Sequence, residues 1–256
     1  MGEVIAFIPA RSGSQRLPEK NVMELLGHPL AAHSVMQALA LPIFDRVIFS
    51  SDSNEYGRIV HESLVSQGIP DDRFQFHHRN RQQAGSQSKI FDVMQHLFGG
   101  SELGGEDDDL IVLMLPTAPL RSAQTLVELV SLCKGTGRDC FTCCMYDFHV
   151  SFAFEIDTDR NQWRPLIDNS PMCTGNTRSQ DQATFFHPHG GAAGVWRRNL
   201  RGSKLTIYEC AIPVPTDRIE GADVDTLEDF EFVSTLMGSG QPFFPFLKQN
   251  SGREEK

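Results

Sequence analysis

Nothing in this 256-residue chain approaches the roughly 18 consecutive apolar residues that a membrane-crossing helix needs, and no basic, apolar and small-residue series marks it for export. The expectation is a cytoplasmic protein with no membrane partner. Positive charge is also in short supply: 23 Lys and Arg stand against 33 Asp and Glu, for a net charge of -10. A chain so charged repels nucleic acid and anionic lipid alike, which excludes general adhesion to either as its function. Six cysteines are scattered irregularly, and their one cluster, Cys140, Cys143 and Cys144, lacks the second ligand pair of a zinc site; only His149 lies near. They read as buried thiols. At this length a single large domain can bury a sufficient core without disulfides.

Against that acidic background, the stretch FIPARSGSQRLPEKN, residues 7–21, collects Arg11, Arg16 and Lys20 directly after an apolar run. The run Val4–Pro9 reads as a strand, as do Val47–Ser51 and the wholly apolar LIVLML of Leu110–Leu115, the latter suited to a strand covered on both faces. Helical stripes alternate with them. Ile90, Val93, Met94, Leu97 and Phe98 form one, and Leu126, Leu129, Val130 and Cys133 form another behind Ser122 as N-cap. Such alternation predicts an α/β fold, a doubly wound and mostly parallel sheet whose ligand lies at the carboxyl ends of its strands. From 140 to 189 the pattern turns to aromatic β-like segments and polar turns, which predicts a small β-rich insertion arm between core segments 1–139 and 190–256. Ala193–Trp196 and Thr206–Pro213 read as further strands, and Thr226 with Asp229 as the capping box of a last helix.

A loop leaving a strand's carboxyl end, with small residues that let backbone N–H groups approach and with cations beside them, is suited to a polyphosphate. The loop is neither GxxxxGK[ST] nor GxGxxG, so it is not a P-loop or a dinucleotide fingerprint. The segment IPARSGSQRLPEKN instead resembles the signature of the acylneuraminate cytidylyltransferase (CMP-sialic acid synthetase) family, in Ile8, Pro9, Ala10, Arg11, Gly13, Ser14, Pro18, Lys20 and Asn21. Further likenesses follow in family order: Phe44-Asp45-Arg46-Val47-Ile48 leading to Ser50-Ser51-Asp52; Leu115-Pro116-Thr117-Ala118-Pro119-Leu120-Arg121; and Asp223-Val224-Asp225. The resemblance spans residues 4–237. It implies a Rossmann-like nucleotidyltransferase that uses CTP and Mg²⁺ to make a CMP-sugar from a 2-keto sugar acid, releasing pyrophosphate. By the same resemblance Arg11 and Lys20 hold the triphosphate, Ser14 and Asn21 orient it, and Ala10, Arg79 and Ser88 frame the cytidine. Pro116, Thr117 and Arg121 belong to the substrate site, Asp223 and Asp225 hold the metal, and the arm forms a homodimer that sends Arg178, Gln180 or Asp181 towards the neighbouring sugar site.

The departures fall on the sugar side. Leu115 stands where the family has Gln, Gly190-Gly191-Ala192-Ala193-Gly194 replaces Asn-Gly-Ala-Ile-Tyr, Ser86 replaces an acidic residue, and Arg178-Ser179-Gln180-Asp181 replaces Arg-Arg-Gln-Asp. Arg16-Leu17-Pro18 resembles the pseudaminic and legionaminic acid branch, and also the 3-deoxy-manno-octulosonate enzymes. A nine-carbon acid acceptor of sialic, pseudaminic or legionaminic type is the first expectation. Transfer to 3-deoxy-manno-octulosonate or another acid, and a non-catalytic nucleotide-binding relative, stay open, whereas a glycosyltransferase would carry its Asp-x-Asp at mid-chain. His187 and His189, on either side of Pro188, read as partly exposed loop histidines, and His149 coincides with a family histidine that would line the pocket.

Overall fold

In the computed structural model, which describes residues 2–70, 72–79, 89–100 and 102–239, the three apolar runs become the middle of one sheet. β1 (Val4–Pro9) is buried along its whole length and pairs in parallel with β4 (Arg46–Ser51) on one side and β6 (Leu110–Leu113) on the other. Between β1 and β4 come the two-residue strands β2 (Glu24–Leu25) and β3 (His28–Pro29) and helix α1 (Leu30–Ala40). Then follow α2 (Asn54–Ser66), the edge strand β5 (Phe74–His78), α3 (Ile90–Met94), which continues as a π-helical turn at Gln95–Gly99, and, after β6, α4 (Ala123–Thr136). α4 starts at Ser122, whose hydroxyl accepts from the Thr125 amide at 3.0 Å, and ends at Gly137, whose φ of 67° is the left-handed conformation that glycine adopts without strain.

Alternation along each strand feeds two cores, one per face. Val4, Ala6 and Ile8 pack with Val35, Val60 and Leu129 of α1, α2 and α4, while Ile5 and Phe7 pack with Val93, Leu97 and Phe98 on the opposite face. The remaining elements are β7 (Cys140–Met145), β8 (Phe154–Asp157), β9 (Gln162–Pro165), α5 (Pro171–Thr174), β10 (Phe186–Trp196), α6 (Arg197–Leu200), β11 (Ile212–Pro215) and α7 (Leu227–Gly238). The sheet runs β11-β7-β10-β6-β1-β4-β5, with β10 antiparallel to both neighbours and the other pairings parallel. No helix among the described residues is long and apolar enough to cross a membrane.

The arm is shorter than the sequence pattern suggests. β7 and β10 are members of the central sheet, so what leaves it is the chain between Met145 and Phe186, built round the exposed β8–β9 hairpin. The strand expected at Thr206–Pro213 begins only at Ile212, because Ile212 is the residue whose amide reaches Asp139 O and opens the ladder to β7.

One buried group ties this fold to pH. His33, 1% exposed in α1, donates from Nε2 to Leu25 O at 2.7 Å, and burial holds its pKa down to about 4 from 6.5. Between those values the unfolded chain takes up a proton that the folded chain refuses, so stability falls as pH drops from 6.5 towards 4, by up to about 3 kcal/mol from this group. The melting temperature of His33→Gln should depend less steeply on pH over that window than that of the native chain. Parallel slopes would refute the assignment.

Candidate active site

The chain leaving β1 is pinned from below before it reaches the cleft. The Ala10 amide donates to Ser50 O at 2.9 Å, and both the amide and hydroxyl of Ser12 donate to Asp52, at 2.8 and 3.0 Å. Tyr56 donates to Glu19 at 3.1 Å, and the Asn21 amide group donates to Arg11 O at 3.0 Å. Asp52 and Glu19 thus position the basic loop without facing a ligand. The signal for Asp52 was in the Ser-Ser-Asp turn; nothing local pointed to Glu19, whose role comes from a φ of 55° that turns the loop back onto α2.

Behind this frame opens a cavity of about 370 Å³ at the carboxyl ends of β1, β5 and β6, lined among others by Arg11, Ser14, Gln15, Arg16, Lys20, Asn21, Arg79, Pro116, Thr117 and Asp225. Eight of the residues expected at the site therefore meet in one cavity: Arg11, Ser14, Lys20, Asn21, Arg79, Pro116, Thr117 and Asp225. Arg79 is nearly buried, its Nε has no partner among the described residues, and its pKa is lowered by burial, with Arg11 adding repulsion and Asp52 opposing. A guanidinium kept partly dry beside a second arginine is an unsatisfied anion or carbonyl receptor.

On the facing side, Asp223 and Asp225 flank Val224, which is fully buried and donates from its amide to Thr117 O at 2.7 Å. The two carboxylates are close enough to repel, but only Asp225 lines the cavity. The capping box of α7 fixes the segment's exit, since the Asp229 carboxylate accepts from the amides of Asp225 and Thr226 at 3.0 and 2.8 Å. Loss of solvent raises the Asp223 pKa, and Asp225 raises it further, against a Thr117 hydrogen bond and Lys20. Lys20 donates to Asp225 at 2.9 Å and to Val224 O at 2.6 Å, while Arg16 reaches the other Asp225 oxygen at 2.7 Å. Cations and carboxylates expected on opposite sides of a ligand are in direct contact here.

In sequence the chain is similar to proteins whose names record cytidylyl transfer. A family model described as Cytidylyltransferase matches residues 5–68. Over 241 residues the chain is 25% identical to the CMP-N,N'-diacetyllegionaminic acid synthase of Legionella pneumophila, covering 93% of this chain and 97% of that one. Over 238 residues it is 26% identical to the N-acylneuraminate cytidylyltransferase of Escherichia coli O18:K1:H7, covering 91% of this chain. The chain is thus similar to cytidylyltransferases, at modest identity, over most of its length. It spans about half the length, 52%, of that Escherichia coli relative. A solved CMP:2-keto-3-deoxy-manno-octonic acid synthetase shares the fold, with a TM-score of 0.63 at 16% identity over 93% of this chain and all of the other.

Not every residue expected at the site faces this cavity. Ala10 is buried beneath the loop. Arg121 is fully buried: its Nε donates to Gly191 O at 2.6 Å, Nη1 to Ser34 at 2.9 Å, and Nη2 to Leu115 O. Burial lowers its pKa to about 9 against the attraction of Glu220 and Asp223, so Arg121 positions two backbone turns and touches no ligand. Gln180 and Asp181 stand exposed in a 3-10 turn of the arm, away from the cavity. Ser86 and Ser88 lie outside the described residues. Gln15, Ile90 and Val93 line the cavity without having been singled out for it; the sequence showed Ile90 and Val93 only as a helical core stripe.

His187 and His189 turn out to belong to β10. His187 Nε2 accepts from the Cys144 thiol at 3.3 Å, and His189 Nε2 donates to the Thr216 hydroxyl at 2.9 Å, consistent with bonding inside the sheet. His149 sits beside the arm's exposed aromatics, not in the cavity.

Proposed function

We propose that the protein transfers a cytidylyl group from CTP to the anomeric hydroxyl of a 2-keto sugar acid in the cytoplasm. The hydroxyl oxygen bonds to the α-phosphorus, the bond from that phosphorus to the bridging oxygen breaks, pyrophosphate departs and the hydroxyl proton passes to solvent. The observation that carries the reading is the meeting of Arg11, Lys20 and Arg79 with Asp225 in one cavity, in a chain 93% of which aligns with a CMP-sugar synthase. Such transfer spreads charge over phosphate oxygens and needs positioning and electrostatic stabilisation more than a covalent nucleophile. Arg11 and Lys20 supply the cations, Ser14 and Asn21 the orienting polar groups, and Arg79 a buried donor for the cytosine end.

The donor set suits magnesium, which binds through one or two carboxylates and completes its shell with phosphate oxygens and water. Asp223 and Asp225 are the residues that would hold it. When bound, the ion neutralises charge developing on the phosphates. Lys20 then has two alternative anionic partners, Asp225 or a phosphate, and its exchange between them would accompany nucleotide entry.

Pyrophosphate release from CTP and Mg²⁺ with a panel of nine-carbon and eight-carbon 2-keto sugar acids tests the reading. Release should depend on both CTP and the acid, and its absence with every acid, under conditions where CTP binds, would leave a nucleotide-binding relative.

The active unit in this reading is a homodimer. Phe148, Ile156, Trp163, Leu166 and Phe186 are all exposed along the arm, with Phe148 71% and Ile156 68% open, more apolar surface than a short hairpin buries by itself. Light scattering should give twice the chain mass, and Ile156→Asp combined with Leu166→Asp should halve it. A fully active monomer would overturn this arrangement.

A further inference from the structure

The cavity is lined by two chemically different sets of residues. Cations and polar groups line it from Arg79 to Lys20, but Leu115, Ile90 and Val93 also line it, and all three belong to one apolar cluster on the α3 face of the sheet. Leu115 follows β6, on the side of the sheet where β10 is the next strand, whereas Arg79 follows the opposite edge strand β5.

Beside Leu115, β10 shifts register between Pro188 and Ala193, and the bulge carries two glycines. The Leu115 amide donates to Gly190 O at 3.2 Å, and a Cβ on Gly190 would stand 2.9 Å from Leu115 Cδ1. A Cβ on Gly191 would stand 2.6 Å from the His189 ring. The side chain of Leu115 therefore fills the space that a larger residue at 190 would claim. Buried Arg121 holds both parts, bonding to Leu115 O and to Gly191 O.

Resting on the cytidylyl-transfer reading, we propose that Leu115, seated over Gly190, is the selectivity element for the acceptor. With Ile90 and Val93 it forms an apolar shelf that favours a sugar acid presenting a methyl group and disfavours one presenting a hydroxyl there. No side chain at 190 or 191 offers that hydroxyl a partner. Desolvating it against three aliphatic side chains leaves it unpaired, and an apolar pocket discriminates such pairs by roughly 10- to 100-fold.

The methyl could belong to a terminal deoxy carbon or to an N-acetyl group, and two pairs of acceptors separate these: terminal methyl against hydroxymethyl, and N-acetyl against N-formyl. Native protein should prefer the methyl member of one pair by at least about tenfold in kcat/KM. Leu115→Gln should bring that ratio below about threefold while leaving the KM for CTP unchanged. The methyl of Gly190→Ala would crowd Leu115 alone, Cδ1 at 2.9 Å and Cβ at 3.3 Å, and no backbone atom, so the chain should still fold; it should raise the acceptor KM severalfold, and Leu115→Ala added to it should reverse that rise.

Equal use of both members of each pair by the native protein, or an unchanged ratio in Leu115→Gln, overturns the proposal. So does a Gly190→Ala effect confined to the CTP KM. Calorimetric titration of CTP is run separately. If CTP does not bind, the cytidylyl reading fails, and titration of the acceptor pairs into nucleotide-free protein then decides the shelf by the same ratio; absence of binding by every acceptor counts against it.

Discussion

Lys20→Ala should cut kcat/KM for CTP by roughly 10²- to 10³-fold and lower kcat even at saturating CTP, the loss typical of removing one preorganised donor from a developing oxyanion. Charge on the β- and γ-phosphates grows as pyrophosphate leaves, so a cation there matters more in the transition state than in the bound substrate. The Lys20 side chain is 14% exposed, which makes its charge expensive to leave unpaired and strong when paired. Arg16 is the internal control. It shares Asp225 with Lys20, but its side chain is 72% exposed and screened by water, so Arg16→Ala should change turnover by no more than about fivefold. Arg11→Ala should resemble Lys20→Ala in its effect on CTP use. If Lys20→Ala alters neither CTP dependence nor the saturated rate, the loop is a basic surface and no phosphate cradle.

How far the sequence told this in advance differs by element. β1, β4 and β6 were legible because strands covered on both faces are apolar throughout, and α4 and α7 because Ser122 and the Thr226/Asp229 pair are local signals read over three or four residues. The start of β10 was not. Phe186, His187 and Pro188 look like a loop return, and they enter the sheet only because β7, more than 40 residues earlier, offers an antiparallel partner at Cys143–Met145. Pairing of that kind leaves no local trace. Arg121 failed for a related reason: an arginine in a substrate motif reads as a ligand group until its donors are seen to end on Gly191, Ser34 and Leu115 within the core. The basic loop itself was legible as a cluster of cations at a strand's carboxyl end, and Arg11, Arg16 and Lys20 do line one cavity. Its contact with Asp225 was not, since the two lie 205 positions apart and meet only through the packing of Val224 against the segment after β6.

That contact gives Asp225→Asn an outcome of opposite sign in two measurements. Without metal, Asp225 holds Lys20 and Arg16, and in the proposed reading a phosphate would compete for them. Removing its charge should leave CTP binding in the presence of a chelator unchanged or somewhat tighter, because a neutral amide holds a lysine less firmly than a carboxylate does. Turnover should move the other way. A hard divalent cation prefers anionic oxygen, and with one of two carboxylates gone the Mg²⁺ concentration for half-maximal rate should rise, with the rate at limiting Mg²⁺ falling by about 10²-fold or more. The fold should persist, since the Asp225 amide still donates to Asp229 and the capping box involves no atom of the Asp225 side chain. Asp223 lies within electrostatic reach of Asp225 and in the proposed reading would share the ion, so Asp223→Asn combined with Asp225→Asn should lose less than the sum of the two single losses. A chelator titration in which Asp225→Asn weakens CTP binding would mean that the carboxylate orders the loop instead of competing for it. Unchanged pyrophosphate release at limiting Mg²⁺ would remove Asp225 from the metal site altogether, leaving it as the counter-ion that keeps Lys20 in place.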